Sequence, residues 1–167
     1  MAGAVLEGSS FSWNDNQIKQ KTHWRLLTVG MGTDHYEARA VQIGDWTGAR
    51  RTIDELFQKI RDLIEVDLAV GSLLYRDGTI QVFSFPTELG KHSSNLDING
   101  WQGWLQEKID NFAQALDLET PPLVRISEAT RSLVPMTKEI RQVRATLTVP
   151  MHRPWEVRNG GEKGHVC

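Results

Sequence analysis

Residues 52–86 constrain this chain more than any other stretch. Between Thr52 and Glu65, apolar residues fall at Ile53, Leu56, Phe57, Ile60, Leu63 and Ile64. That is one stripe at helical spacing, so the segment is expected to form a helix with one buried face. Thr52 followed three residues later by Glu55 has the pattern of a capping box for its start. Immediately after it, Leu68–Tyr75 and Thr79–Phe85 are strand-like runs joined around Asp77-Gly78. Asp-Gly tolerates the positive φ of a type I′ turn, whose twist matches two paired strands, and Pro86 cannot donate to a ladder and so ends the second one. A helix feeding an antiparallel hairpin calls for a sheet with a helical cover.

The flanks supply the remaining parts. Trp24-Arg-Leu-Leu-Thr-Val is a strand candidate rich in residues that suit a pleated surface, broken by Gly30-Met-Gly-Thr-Asp-His. The run Tyr36–Ile43 alternates weakly and is expected to continue or pair with that strand. Downstream, Trp101, Trp104, Leu105, Ile109, Phe112 and Leu116 mark a second helix over residues 101–116. Pro121-Pro122 stops what precedes it, Leu123-Val-Arg-Ile reads as a last short strand, and residues 135–145 read as a third helix with Pro135 in its first turn. The order of elements is that of the split βαβ plan. The expected fold is therefore α+β, a ferredoxin-like, palm-type βαββαβ unit with an additional C-terminal helix, its first two helices on one face of the sheet.

At 167 residues one domain suffices, with residues 1–23 as a polar, flexible leader, 24–150 as the palm-like domain and 151–167 as a flexible tail. The net charge of −2 excludes a generally basic nucleic-acid binder but hides an asymmetry. Residues 1–120 hold 11 Lys/Arg against 17 Asp/Glu, a balance of −6, and residues 121–167 hold 8 against 4, a balance of +4. A polyanion partner would touch the C-terminal part, although an uneven solvated surface explains the numbers as well. The one cysteine, Cys167, excludes an internal disulfide and suits a reducing compartment. With no apolar run long enough to span a bilayer and no basic start to a secretory signal, the chain is expected in the cytoplasm, without a membrane partner.

Palm folds that handle nucleotides hold acids after the first strand and at the tip of the central hairpin, where paired carboxylates bind Mg²⁺ ions that clamp a triphosphate. Asp34 occupies the first position and Asp77 the second. Asp before Gly in a tight turn also has a purely local role, because its side chain accepts from the backbone two residues on. Arg131, Lys138, Arg141 and Arg144 form a basic stretch, the last three spaced at three, which aligns them on one side of a helix. Guanidinium forks suit phosphate oxygens, and the other reading is an ordinary charged helix face. Lys91-His92-Ser93-Ser94 could meet a phosphate or be a solvated loop, and the five histidines show no paired ligand spacing. Cys167 could be the first ligand of a zinc site that needs three more, or carry no chemistry.

Three passages carry a resemblance: Val70-Gly-Ser-Leu-Leu-Tyr-Arg-Asp-Gly-Thr-Ile-Gln-Val-Phe-Ser-Phe-Pro86, Ile126-Ser-Glu-Ala-Thr-Arg-Ser-Leu-Val-Pro-Met-Thr-Lys-Glu-Ile-Arg141 and Gly160-Gly-Glu-Lys-Gly-His-Val-Cys167. Over residues 24–167 the chain resembles large-subunit proteins of type III CRISPR systems, which contain cyclase- and polymerase-like palm domains, often followed by a zinc ribbon. The resemblance implies a place in an RNA-guided antiviral complex, with RNA and other protein subunits as partners. It also implies Mg²⁺ and ATP if the palm is active, and Zn²⁺ at Cys167 if a ribbon follows. Active palms of this kind carry Gly-Gly-Asp-Asp at the hairpin, whereas this tip reads Tyr75-Arg76-Asp77-Gly78. A non-catalytic palm-like component making protein and nucleic-acid backbone contacts is thus the first expectation. The others are a Mg²⁺-dependent nucleotide cyclase or nucleotidyltransferase using Asp34 and Asp77, and a protein–protein interaction module that docks through exposed tryptophans, of which the chain has six.

Overall fold

The computed structural model describes residues 22–87 and 97–147. The readings placed on Lys91–Ser94, on the leader up to residue 21 and on the tail with Cys167 lie outside the described residues. In chain order the elements are β1 (Trp24–Gly30), α1 (Asp34–Arg39), α2 (Ile43–Asp62), β2 (Leu73–Arg76), β3 (Ile80–Pro86), α3 (Ile98–Ala115), β4 (Leu123–Ile126) and α4 (Val134–Leu147). The fold is α+β. Its four strands form one antiparallel sheet in the order β2-β3-β1-β4.

The two central strands are buried on both faces, and the side-chain period of two deals their residues into two cores. Leu27 and Val29 of β1, Phe83 and Phe85 of β3 and Val124 of β4 face α2 and α3, which contribute Ile53, Leu56, Phe57, Ile60, Trp101, Leu105 and Ile109. Leu26, Ile80 and Val82 face the opposite way, against Met136, Ile140, Val143 and Leu147 of α4. Complete burial of a Leu or Phe side chain contributes about 1.5–3 kcal/mol, so the larger core dominates stability. Space at the smaller one is tight. A Cβ on Gly30 would sit 2.6 Å from Val143 Cγ1 and 2.8 Å from Leu147 Cδ1, so the glycine is what lets α4 lie this close to β1.

Side chains reach backbone groups at both sheet edges. On β4, the N–H groups of Val124 and Ile126 donate to Gln106 Oε1 (2.9 Å) and Gln102 Oε1 (3.2 Å), two glutamines one helical turn apart on α3. Gln106 Nε2 also donates to the Pro122 carbonyl at 2.8 Å. On β2, the Leu73 N–H donates to Glu65 Oε1 at 2.7 Å, and Arg61 holds the other oxygen of Glu65 at 2.6 Å. These three N–H groups, which would otherwise invite another strand, are satisfied within the chain.

Four expectations need correction. Residues 36–43 are not a strand: α1 runs through Arg39 and α2 begins at Ile43, with three residues between. The long helix begins at Ile43 rather than Thr52. Its capping box is Gln42 with Asp45, while the Thr52 hydroxyl bonds back to the Gly48 carbonyl at 3.2 Å inside the helix. Residues 63–67 leave the α-helix as a π turn, with Leu68 N–H reaching the Leu63 carbonyl at 2.9 Å, so β2 starts at Leu73 instead of Leu68. The hairpin turn is not type I′: neither Gly78 nor Thr79 takes a positive φ, and Asp77 shapes the turn through its side chain. The helix expected over 101–116 runs from Ile98 to Ala115, that expected over 135–145 from Val134 to Leu147, and residues 123–126 form the strand expected of them.

Candidate functional site

The register places three chain segments at one end of the sheet. Gly30 pairs with Ile80 of β3 and with Leu123 of β4, so the end of β1, the hairpin tip and the start of β4 lie side by side. Met31 N–H donates to the Thr79 carbonyl at 2.8 Å and ties the loop after β1 to the tip. The segments bearing Asp34 and Asp77 therefore start from this end.

Their side chains do different things. Asp34 opens α1 and is exposed. Asp77 is half-buried, and both its oxygens are committed. Oδ1 accepts from the Thr79 N–H (2.8 Å), the Thr79 hydroxyl (3.0 Å) and the Ile80 N–H (2.8 Å). Oδ2 accepts from the Tyr75 hydroxyl (2.9 Å) and from Arg144 Nη2 (2.5 Å). Burial by itself pushes this carboxyl up. The Thr79 N–H, Arg144, Tyr75 and the Ile80 N–H outweigh burial and hold it at about 2, below its ordinary 3.8. The same hydrogen bond raises the Tyr75 hydroxyl, because losing its proton would set a phenolate against a carboxylate.

This arrangement does not fit a Mg²⁺ site. A hard cation needs carboxylate lone pairs, and here five donors already occupy them; a metal would also have to displace the Arg144 guanidinium. Among the described residues, no three His, Cys, Asp or Glu side chains gather as a metal centre. The tip works instead as a latch between the sheet and α4.

The four basic candidates separate. Arg144 belongs to the latch. Arg131 donates to His23 Nε2 at 2.9 Å, at the opposite end of β1. Lys138 and Arg141 stand exposed on α4, with no ion-pair partner among the described residues. On the other flank of the helix, Glu139 accepts from Arg125 Nε at 2.9 Å. Two ion pairs, Arg144–Asp77 and Arg125–Glu139, thus fix the rotation of α4 and leave Lys138 and Arg141 facing solvent.

Sequence reasoning missed the anchoring of α1. Tyr36 Oη accepts from the Glu119 N–H (2.9 Å), the Thr120 N–H (3.2 Å) and the Thr120 hydroxyl (3.2 Å). His35 Nε2 donates to Glu119 at 2.6 Å, and Arg39 pairs with the same carboxylate. The His35 hydrogen bond is the chief cause that holds the Glu119 carboxyl below its ordinary value. Gln42 and Asp45, three apart, were the available signal for a helix start, but glutamine is an unusual N-cap.

The four described tryptophans are not fully exposed: Trp101 is buried, and Trp24, Trp46 and Trp104 are partly covered. Among the described residues no helix is long and apolar enough to cross a membrane. Comparison with protein families, with curated proteins and with solved structures finds no match in any of the three.

Proposed function

We propose that this chain is a split βαβ domain of the ferredoxin-like, palm type that serves a type III CRISPR effector as a binding and assembly component, without catalysis at its hairpin tip. In this reading Lys138 and Arg141 on α4 contact an RNA backbone, and other subunits of the ribonucleoprotein are its protein partners. The strand order supports the fold assignment: β1 to β2 crosses over α1 and α2, β3 to β4 crosses over α3, and each leaves room for one strand between, which is split βαβ wiring. The resemblance of residues 70–86 and 126–141 supports the assembly. The observation that carries the non-catalytic part is the occupation of both Asp77 oxygens by protein donors.

The test is binding of a single-stranded RNA as a function of salt. Each phosphate contact on a single strand adds about 0.7 to the slope of log affinity against log salt. Replacing both Lys138 and Arg141 by Gln should lower the slope by about 1.4 for RNAs of any sequence, with the thermal midpoint unchanged. Equal slopes for parent and variant remove α4 from the RNA-binding role. A thermal midpoint raised by ATP with Mg²⁺ and insensitive to Asp77→Asn would instead support nucleotide chemistry elsewhere in the chain.

A further inference from the structure

The first half of α2 contributes nothing to the core, and α1 reaches it only through the half-buried ring of Tyr36. From Asp34 to Thr52 no residue is buried, whereas the same helix buries Ile53, Leu56, Phe57 and Ile60 one turn later. On this arm Val41 and Ile43 are each 88% exposed, more than any other large hydrophobic among the described residues. With Trp46 they line a shallow, open depression of about 540 Å³, whose α1 wall carries Glu37 and whose α2 wall carries Arg50. The Arg50 guanidinium lies over the Trp46 ring at 5.9 Å, which keeps the charge beside the apolar floor. The arm is held in place before any partner arrives, because Tyr36, His35 and Arg39 anchor α1 to Glu119 and Thr120.

We infer that this face is an isologous interface between two copies of the chain. The arms pack around a two-fold axis, Ile43 and Trp46 meet at the centre, and Glu37 of each copy faces Arg50 of the other. Three observations select a second copy. An acid on one wall and a base on the other make the surface complementary to itself, which is the condition a two-fold contact imposes. Fourteen of the 19 residues from 34 to 52 are exposed, below the roughly 20–30 that one side of a stable interface uses, which fits a weak self-contact. The charges of the arm balance, with Asp34, Glu37 and Asp45 against Arg39, Arg50 and Arg51, so nothing there attracts a polyanion over a protein. Exposed apolar side chains rimmed by such charges mark a protein contact.

Sedimentation equilibrium of the whole chain, without RNA, tests this independently of the RNA-binding reading. The expected result is a monomer–dimer equilibrium between about 1 and 200 µM, the range of weak specific association. Ile43→Asp should give monomer throughout with an unchanged melting curve, since Ile43 supports nothing in the core. Glu37→Arg and Arg50→Glu should each weaken the dimer by about tenfold or more, through like charges brought face to face. The double variant Glu37→Arg/Arg50→Glu should recover it, and so should an equimolar mixture of the two single variants, because both restore opposite signs across the axis. Monomer at about 200 µM, a dimer that survives Ile43→Asp, or failure of the double variant to recover would each overturn the inference.

Discussion

Replacing Asp77 by Asn tests whether the hairpin tip is a latch. The amide can still accept at one oxygen from the Thr79 and Ile80 N–H groups, so the turn persists, while the charge that binds Arg144 and favours the Tyr75 donor is lost. The carboxyl falls from 3.8 to about 2 on folding, a difference worth about 2.4 kcal/mol at 1.36 kcal/mol per pH unit. With 24% of its side-chain surface open, solvent screens part of this, and about 1–2 kcal/mol is the expected loss at pH 7. Because the folded-state value is depressed, the contribution is complete above about pH 5, falls to about half at pH 3 and is lost as pH drops below about 2. Urea unfolding of parent and variant at pH 7 and pH 3 measures the difference at each pH and cancels the other carboxylates. A destabilisation at pH 7 that shrinks by about half at pH 3 is the expected result. If Asp77 were a metal ligand, Asn would leave stability in chelator unchanged or improved, and Mg²⁺ would raise the midpoint of the parent alone. Either result would refute the latch.

Two further predictions concern other parts of the fold. Gln81 is fully buried on β3, and neither its amide nitrogen nor its oxygen finds a hydrogen-bond partner among the described residues, so Gln81→Met should raise stability by about 1–3 kcal/mol in urea unfolding. Gln102→Leu with Gln106→Leu should uncover the outer N–H groups of β4; light scattering should show faster aggregation on mild heating while the circular dichroism of the native state is retained.

Much of the architecture was legible because local physics alone determines it. The stripe from Ile53 to Ile64, the face from Trp101 to Leu116 and the hairpin runs around Asp77-Gly78 each announce an element whose apolar side must be buried, and the packed cores contain those same residues. Where signals were weak or rare, the reading slipped. Tyr36–Ile43 alternates only weakly, and the true helix start at Gln42–Asp45 uses an uncommon cap. The Thr52–Glu55 pattern is a good cap out of context, but a helix already running through it leaves no free N–H groups for it to satisfy. The shortened β2 follows from the π turn at residues 63–67, a departure that carries no sequence signature of its own.

For the candidate site the division is sharper. The sequence by itself determined that an acid would stand at the hairpin tip, that another would follow the first strand, and that Lys138, Arg141 and Arg144 would share a helix, since each of these depends only on residues within a turn or two of one another. Which partner each charge takes depends on approach in space across long sequence separations. Only the tertiary structure, through the close contact of α4 with Gly30 and β3, brings Arg144 within 2.5 Å of Asp77 across 67 positions of chain. That contact turns a metal-ligand candidate and a phosphate-binding candidate into one ion pair. Hydrophobic periodicity sets which face of a helix is buried; the register against the sheet sets which of its charges remain free.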